Sequence, residues 1–395
     1  MPRDNRFQHQ EYRSGRRTSD VHLLRPAPPA TIPPDTGAHR MLAVGDVYRQ
    51  AGVRAIYLVH GSFVGADALG VVREVARVSP KAAESLRRLE KQLVDSIAKD
   101  AGNYTTAFAE AFERQINRDG ADRILVRLFH WSSENHHIGR ADGAVRLLDE
   151  LASQKDLTEG RILLWGHSHG GNVFALLTNL LNADSAMRRE FFRAARPYFR
   201  WPVVGKVDMP VWTRTRARLS REGNPLRHLA LDFVTFGTPV RYGWETGTCA
   251  NLLHFVNHRP AGGLPADQAP FPPSIDDVLT ARHGDYIQQI GIAGTNLAPT
   301  AWAWRAWLAD IRLSRHLQAG IRRRDLLTRL KAGVRAHADG TTLLVDYGPA
   351  AGHIGQHLAG HAVYTRLEWL LFHAEEVARR FYNRNTNDAT DKVDR

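Results

Sequence analysis

Apolar positions in this chain gather in short unbroken runs, and between the runs they recur at helical spacing. The runs are Val53–Val59 (VRAIYLV), Arg123–Trp131, Arg161–Trp165, Leu231–Phe236, Leu252–Val256, Tyr286–Ala293 and Thr341–Val345. They are rich in β-branched, aliphatic and aromatic side chains and read as strands. Ser79-Pro80 suits a helix start ahead of Leu86, Leu89, Leu93 and Ile97, and Phe108 and Phe112 mark a further helix. Residues 138–151, 172–181 and 364–381 complete the helical set. Strands that are apolar throughout, rather than alternating, are buried on both faces. The fold class expected is therefore α/β: a mainly parallel sheet with helices on both faces and helical cap insertions.

Two kinds of segment fall outside this alternation. Residues 1–40 are rich in Arg, Pro and polar types, with Pro26, Pro28, Pro29, Pro33 and Pro34 close together, and read as a disordered basic arm ahead of a domain spanning 41–395. Residues 184–228 and 299–338 read as insertions, and they carry most of the formal charge of +12. Residues 185–228 hold ten Arg and Lys206 against Glu190, Asp208 and Glu222, a balance of +8; residues 299–338 hold nine basic residues against Asp310 and Asp325, a balance of +7. Such segments raise the question of an anionic membrane as a peripheral partner, against the plainer reading of helices packed on the core with a solvated Arg face. No recognisable module with base-stacking aromatics is present, so nucleic acid is not an expected partner. No apolar stretch long enough to cross a membrane and no apolar signal region stand out, which gives a cytoplasmic protein as the expectation. A single cysteine, Cys249, excludes an internal disulfide and reads as a packing residue.

The chemistry centres on Gly166-His167-Ser168-His169-Gly170, which follows an apolar strand and precedes an apolar helix. A serine at a sharp strand-to-helix turn has its hydroxyl thrust outward, and glycines two residues to either side leave room for the neighbouring strand and helix. The helix N-terminus behind it offers N–H groups to a developing oxyanion. On IYLVHGSF (56–63), WGHSHGGN (165–172) and FVTFGTPV (233–240), the chain resembles the α/β-hydrolase-fold serine hydrolases. FVTFGTPV and the GHAVYTR segment around His361 and Tyr364 resemble, in part, the class 3 lipases. The resemblance spans about residues 50–385. It implies a carboxylic-ester hydrolase, lipase-like, acting through an acyl-enzyme on Ser168 with no cofactor and no metal. The expected substrate is a small-molecule or lipid ester.

Two N–H donors are expected for the oxyanion: His169, next after the nucleophile, and Ser62, after the His60-Gly61 strand end. The base should come from a loop after the last strand, which offers His353, His357 and His361; His361, at the mouth of the closing helix, is favoured over His353. The orienting acid is less clear. The resemblance places it directly after the Leu252–Asn257 strand, where this chain has Asn257-His258-Arg259-Pro260. Asp285, at a loop-to-strand junction, is favoured over Asp267, Asp276, Asp277 and Asp346. The missing acid supports an alternative from another class, a catalytically degenerate hydrolase-fold binding or scaffold protein. Residues 131–137 could line the pocket or simply cap the following helix. The catalytic reading requires the Ser168 hydroxyl to reach a pocket shared with an imidazole from 353–361; a side chain that is buried, or more than a few ångströms from every histidine there, with no plausible loop movement, would overturn it.

Overall fold

Side chains along the central strands point alternately into two separate cores. Ala55, Tyr57 and Val59 enter one, with Ile162 and Leu164, while Ile56, Leu58, Leu163 and Trp165 enter the other. Apolar runs in the sequence are the consequence, since both faces of each strand are covered. The computed structural model describes residues 7, 20–61, 103–120, 122–154, 159–199, 210–291, 304–317, 328–350, 352 and 354–383. The strands are β1 (Asp20–Leu24), β2 (Val53–Val59), β3 (Leu125–Phe129), β4 (Gly160–His167), β5 (Leu229–Phe236), β6 (Asn251–Asn257) and β7 (Thr341–Val345). They form one seven-stranded sheet in the order β1-β7-β6-β5-β4-β2-β3, and every pairing is parallel.

Helices α1 (Pro34–Gln50) and α2 (Thr106–Ile116) cover one face, together with α11 (Leu370–Val377). The other face carries α3 (His137–Ser153) and α4 (His169–Asn182), with an outer layer of α5 (Ser185–Phe199), α6 (Pro210–Glu222) and α9 (Trp304–Leu317). Short helices α7 (Ile275–Leu279), α8 (Tyr286–Gly291) and α10 (Ile354–His357) lie in the connections. The basic insertion helices thus pack on the domain rather than standing apart. Trp212 of α6 is fully buried and donates its indole N–H to Asp142 of α3 at 2.6 Å. Replacing such a side chain by Ala costs about 3–5 kcal/mol.

Two expectations are corrected. The arm predicted over 1–40 does not reach residue 40: Asp20–Leu24 is the edge strand beside β7, and α1 starts at Pro34. Pro33 and Pro34 are helix-start residues here, because a missing N–H costs nothing in the first turn. The strand predicted over 286–293 is instead α8 over Tyr286–Gly291. Its first turn is fixed by Asp285, whose Oδ1 accepts the Gln288 N–H at 2.8 Å. The helix predicted from Ser79 lies outside the described residues.

The strand order matters for the site. From β2 the chain passes outward to β3; it then returns to the other side of β2 as β4 and continues through β5, β6 and β7. The crevice between the carboxyl ends of β2 and β4 is where the winding reverses, the usual ligand position in open parallel sheets.

Candidate active site

Ser168 stands at that reversal, between the last residue of β4 and the first of α4, with φ 52° and ψ −128°. Such a backbone costs of order 1–3 kcal/mol in a non-glycine residue and persists only where its surroundings hold it. Here the Ser168 N–H donates to Phe236 O at 2.8 Å, and its carbonyl accepts from Thr238 Oγ1 at 2.7 Å and the Gly171 N–H at 3.1 Å. The flanking glycines are explained by contact. A Cβ on Gly166 would lie 2.6 Å from the Phe174 ring, and one on Gly170 would lie 2.6 Å from Val59 O. The Ser168 hydroxyl is fully buried and makes no hydrogen bond. A buried hydroxyl left without a partner costs about 1–3 kcal/mol, so the fold maintains both a strained backbone and an unsatisfied donor at one residue. The expected opening onto a pocket is not met in this conformation.

An imidazole from the expected segment does come to the elbow, but no hydrogen bond joins it to Ser168 Oγ. His361 lies against the elbow: its ring packs on that of His167 with centroids 4.6 Å apart, and its carbonyl accepts from His167 Nε2 at 3.2 Å. Its position is set by an unusual turn in which Leu358, Ala359 and Gly360 all have positive φ. The turn is clamped by Asn257 Nδ2, which donates to Gly360 O at 2.8 Å. Asn257 occupies the place where an acid was missing in the sequence, and its role is to anchor the histidine loop.

The acid arrives by a detour. After β6 the chain runs outward and returns, so that Gly284 bridges His258 and the Asp285 N–H donates to Asn257 O at 2.9 Å. Asp285 therefore stands at the carboxyl end of β6. Its Oδ2 meets His361 Nδ1 at 2.7 Å and accepts the Tyr364 hydroxyl at 2.9 Å. Both partners of the His361–Asp285 pair are fully buried. Since a carboxylate only accepts, the proton of this hydrogen bond belongs to His361 Nδ1. The other acids are used elsewhere: Asp277 forms a capping box with Ser274, Asp276 sits beside it in α7, and Asp346 pairs with Arg259 at 3.1 Å. Asp267 accepts the Arg335 N–H through its carbonyl.

Two supporting residues were not assigned from sequence. Tyr364 bridges the pair to the sheet: its hydroxyl accepts the Asn257 N–H at 2.7 Å and donates to Asp285. Burial, and next the Asp285 carboxylate, push this phenol well above its ordinary value, so it remains a donor at any working pH. Arg335, from the second basic segment, is fully buried, stacks over Tyr286 at 5.5 Å, and donates to Asp285 O and to Gln289 Oε1. A single arginine in a basic stretch gives no sign of such a role; the His-x-x-Tyr spacing was the available signal for Tyr364.

His169 is the first residue of α4, directly after Ser168. Its imidazole is pushed well below the ordinary value, first by burial and then by the charges of Arg140 and Arg241, and Asn172 Nδ2 meets its Nδ1 at 3.0 Å. Ser62 and His353 lie outside the described residues. Before Ser62 the strand end is close: a Cβ on Gly61 would lie 3.2 Å from Ser168 Oγ. Residues 131–137 brace that strand end and also cap α3. Trp131 Nε1 donates to His60 O at 2.9 Å, Ser133 Oγ meets His60 Nδ1 at 3.1 Å, and His136 accepts the Gly139 N–H. His357, at the end of α10, is buried. Cys249 is half-buried, and burial with neighbouring acids pushes its thiol up to about 12, which makes it inert as a nucleophile. Comparison with protein-family models, curated proteins and solved structures finds nothing that matches this chain.

Proposed function

We propose that this chain is a serine hydrolase of the α/β-hydrolase type, lipase-like, that cleaves carboxylic esters of small molecules or lipids through an acyl-enzyme on Ser168. One observation carries the reading. A serine strained at a strand-to-helix turn keeps a buried, unpartnered hydroxyl, and the residue before it, His167, packs on His361 of a buried His361–Asp285 pair brought in from two distant loops. Nothing structural is gained by that serine, and a reactive one is what the arrangement suits.

In the proposed reaction His361 Nε2 takes the Ser168 proton as Oγ attacks the ester carbonyl. The carbonyl oxygen becomes an oxyanion held by the His169 N–H and a donor from the loop after β2, for which Ser62 is the candidate. Asp285 holds the imidazole in its Nδ1–H form and stabilises the imidazolium. His361 then protonates the departing alkoxide, and water, activated by the same imidazole, releases the acid. No cofactor enters. Because Ser168 is buried, substrate reaches Oγ only after the groups over the elbow part, so the hydrolase must open before it acylates.

The binding-or-scaffold alternative drew on the absent acid after Asn257; the Asp285 carboxylate at the end of the same strand supports the catalytic reading, and the buried Ser168 hydroxyl is what favours the alternative. The experiment is hydrolysis of p-nitrophenyl esters of graded acyl length by the full chain and by Ser168→Ala. Turnover that disappears in the variant supports the proposal; equal rates in both, or none with any ester, refute it.

A further inference from the structure

His167, the last residue of β4 and the one before Ser168, stands where the alternation of the strand favours an apolar side chain. Leu163 and Trp165 precede it on the same sheet face and enter the core that also holds Phe236 and Tyr364. The His167 side chain is buried, with its ring 5.8 Å from that of Tyr364 and edge-on to that of Tyr104 at 6.4 Å. Burial, and next the charge of His361, push its imidazole well below the ordinary value, so the ring is neutral. A carbonyl only accepts, so the ring proton is on Nε2 and is donated to His361 O at 3.2 Å. Nδ1 is left as a buried lone pair without a hydrogen-bond partner, a cost that an apolar residue at this position avoids.

The histidine loop has other anchors, and they lie farther along the sheet. Asn257 holds Gly360 from the end of β6, and Asp285, joined to the same strand end, holds His361 Nδ1. β5 stands between β6 and β4, so these anchors are two strand spacings, about 10 Å, from the elbow. His167 reaches the loop from β4 itself. We propose that His167 is a positioning residue for the base: its Nε2–H and its ring hold His361 in register with the next residue in the chain, Ser168. The inference rests on the serine-hydrolase reading above. In that reading the His361 imidazole gains a proton during acylation, and a neutral ring packed on it at 4.6 Å sets no like charge against it.

The test compares the full chain with His167→Phe, His167→Asn and His167→Gln, each checked for folding by its melting temperature. The readouts are the rate of fluorophosphonate labelling at Ser168, and kcat and KM with a p-nitrophenyl ester. Phe keeps a ring without the donor, Asn has an amide too short for the carbonyl, and Gln carries an N–H at about the reach of Nε2. Labelling and kcat should fall about 10–100-fold in His167→Phe and His167→Asn with KM little changed, and His167→Gln should recover most of the loss. A residue that only fills space gives the reverse order, with His167→Phe nearest the unaltered chain. That order, or equal rates throughout, overturns the inference and leaves the hydrolase reading standing. Should His167→Phe fail to fold, His167→Gln and His167→Asn carry the same contrast, and equal rates in that pair overturn the inference. An unaltered chain that does not label at Ser168 overturns the hydrolase reading, and the inference with it.

Discussion

Removing one oxygen atom, in Tyr364→Phe, separates the role of the phenol from that of its ring. The ring packs among Phe236, Tyr347 and His167, and Phe keeps those contacts. The hydroxyl makes two hydrogen bonds that Phe cannot. Loss of the bond to the Asp285 carboxylate costs about 1.5–3 kcal/mol, and leaving the buried Asn257 N–H unsatisfied costs about 1–3 kcal/mol. His361 and the Gln288 N–H still hold the carboxylate, so the net loss should be about 3 kcal/mol, or a melting temperature lower by about 3–5 °C. If His361 is the base, the looser pair should reduce kcat about 10–100-fold with little change in KM. Urea titration and steady-state kinetics with a p-nitrophenyl ester measure both. A variant with unchanged midpoint and unchanged kcat would refute the bridge as described.

Asp285→Asn should lower kcat by about 10⁴ while the fold is retained, because an amide lets the imidazole take the wrong tautomer; stopped-flow or long-time ester assays reach that range. Arg335→Met should destabilise the chain by about 2–4 kcal/mol, since it removes a buried cation together with its bonds to Asp285 O and Gln289. Arg335→Lys should fail to restore stability, because one ammonium cannot reach both acceptors and stack on Tyr286. Burial holds His254, His258 and His373 at about 3, against about 6.5 in an unfolded chain. Their contribution is fully present above about pH 6.5 and is lost as pH falls toward 3. Chemical denaturation at a series of pH values should show stability declining by about 1.4 kcal/mol per pH unit for each proton taken up on unfolding.

Six of the seven strands were legible because burial on both faces writes an apolar run into the chain; Val53–Val59 and Thr341–Val345 match residue for residue. β1 was not legible. It is an edge strand of five residues with only three apolar side chains, and the neighbouring prolines carried a disorder signal that belongs to a helix start. The run after Asp285 looked like a strand because Ile287 and Ile290 are β-branched, but the aspartate cap at its start decides for helix. Ser168 could be placed from local spacing alone, since strand, glycine and helix adjoin it. Asp285 was favoured for a loop-to-strand junction that is a helix start instead, and its position at the end of β6 depends on a bridge between His258 and Gly284 that no local pattern encodes. The burial of Ser168 was likewise invisible, as it depends on what the rest of the chain lays over the turn.

The most direct test of the central claim is intact-mass and peptide mapping after exposure to a fluorophosphonate. The account predicts a single adduct on Ser168, absent in Ser168→Ala and slowed strongly in His361→Ala. A chain that stays unlabelled under conditions where vesicles or ester substrates have full access, or that labels equally after Ser168→Ala, would contradict it.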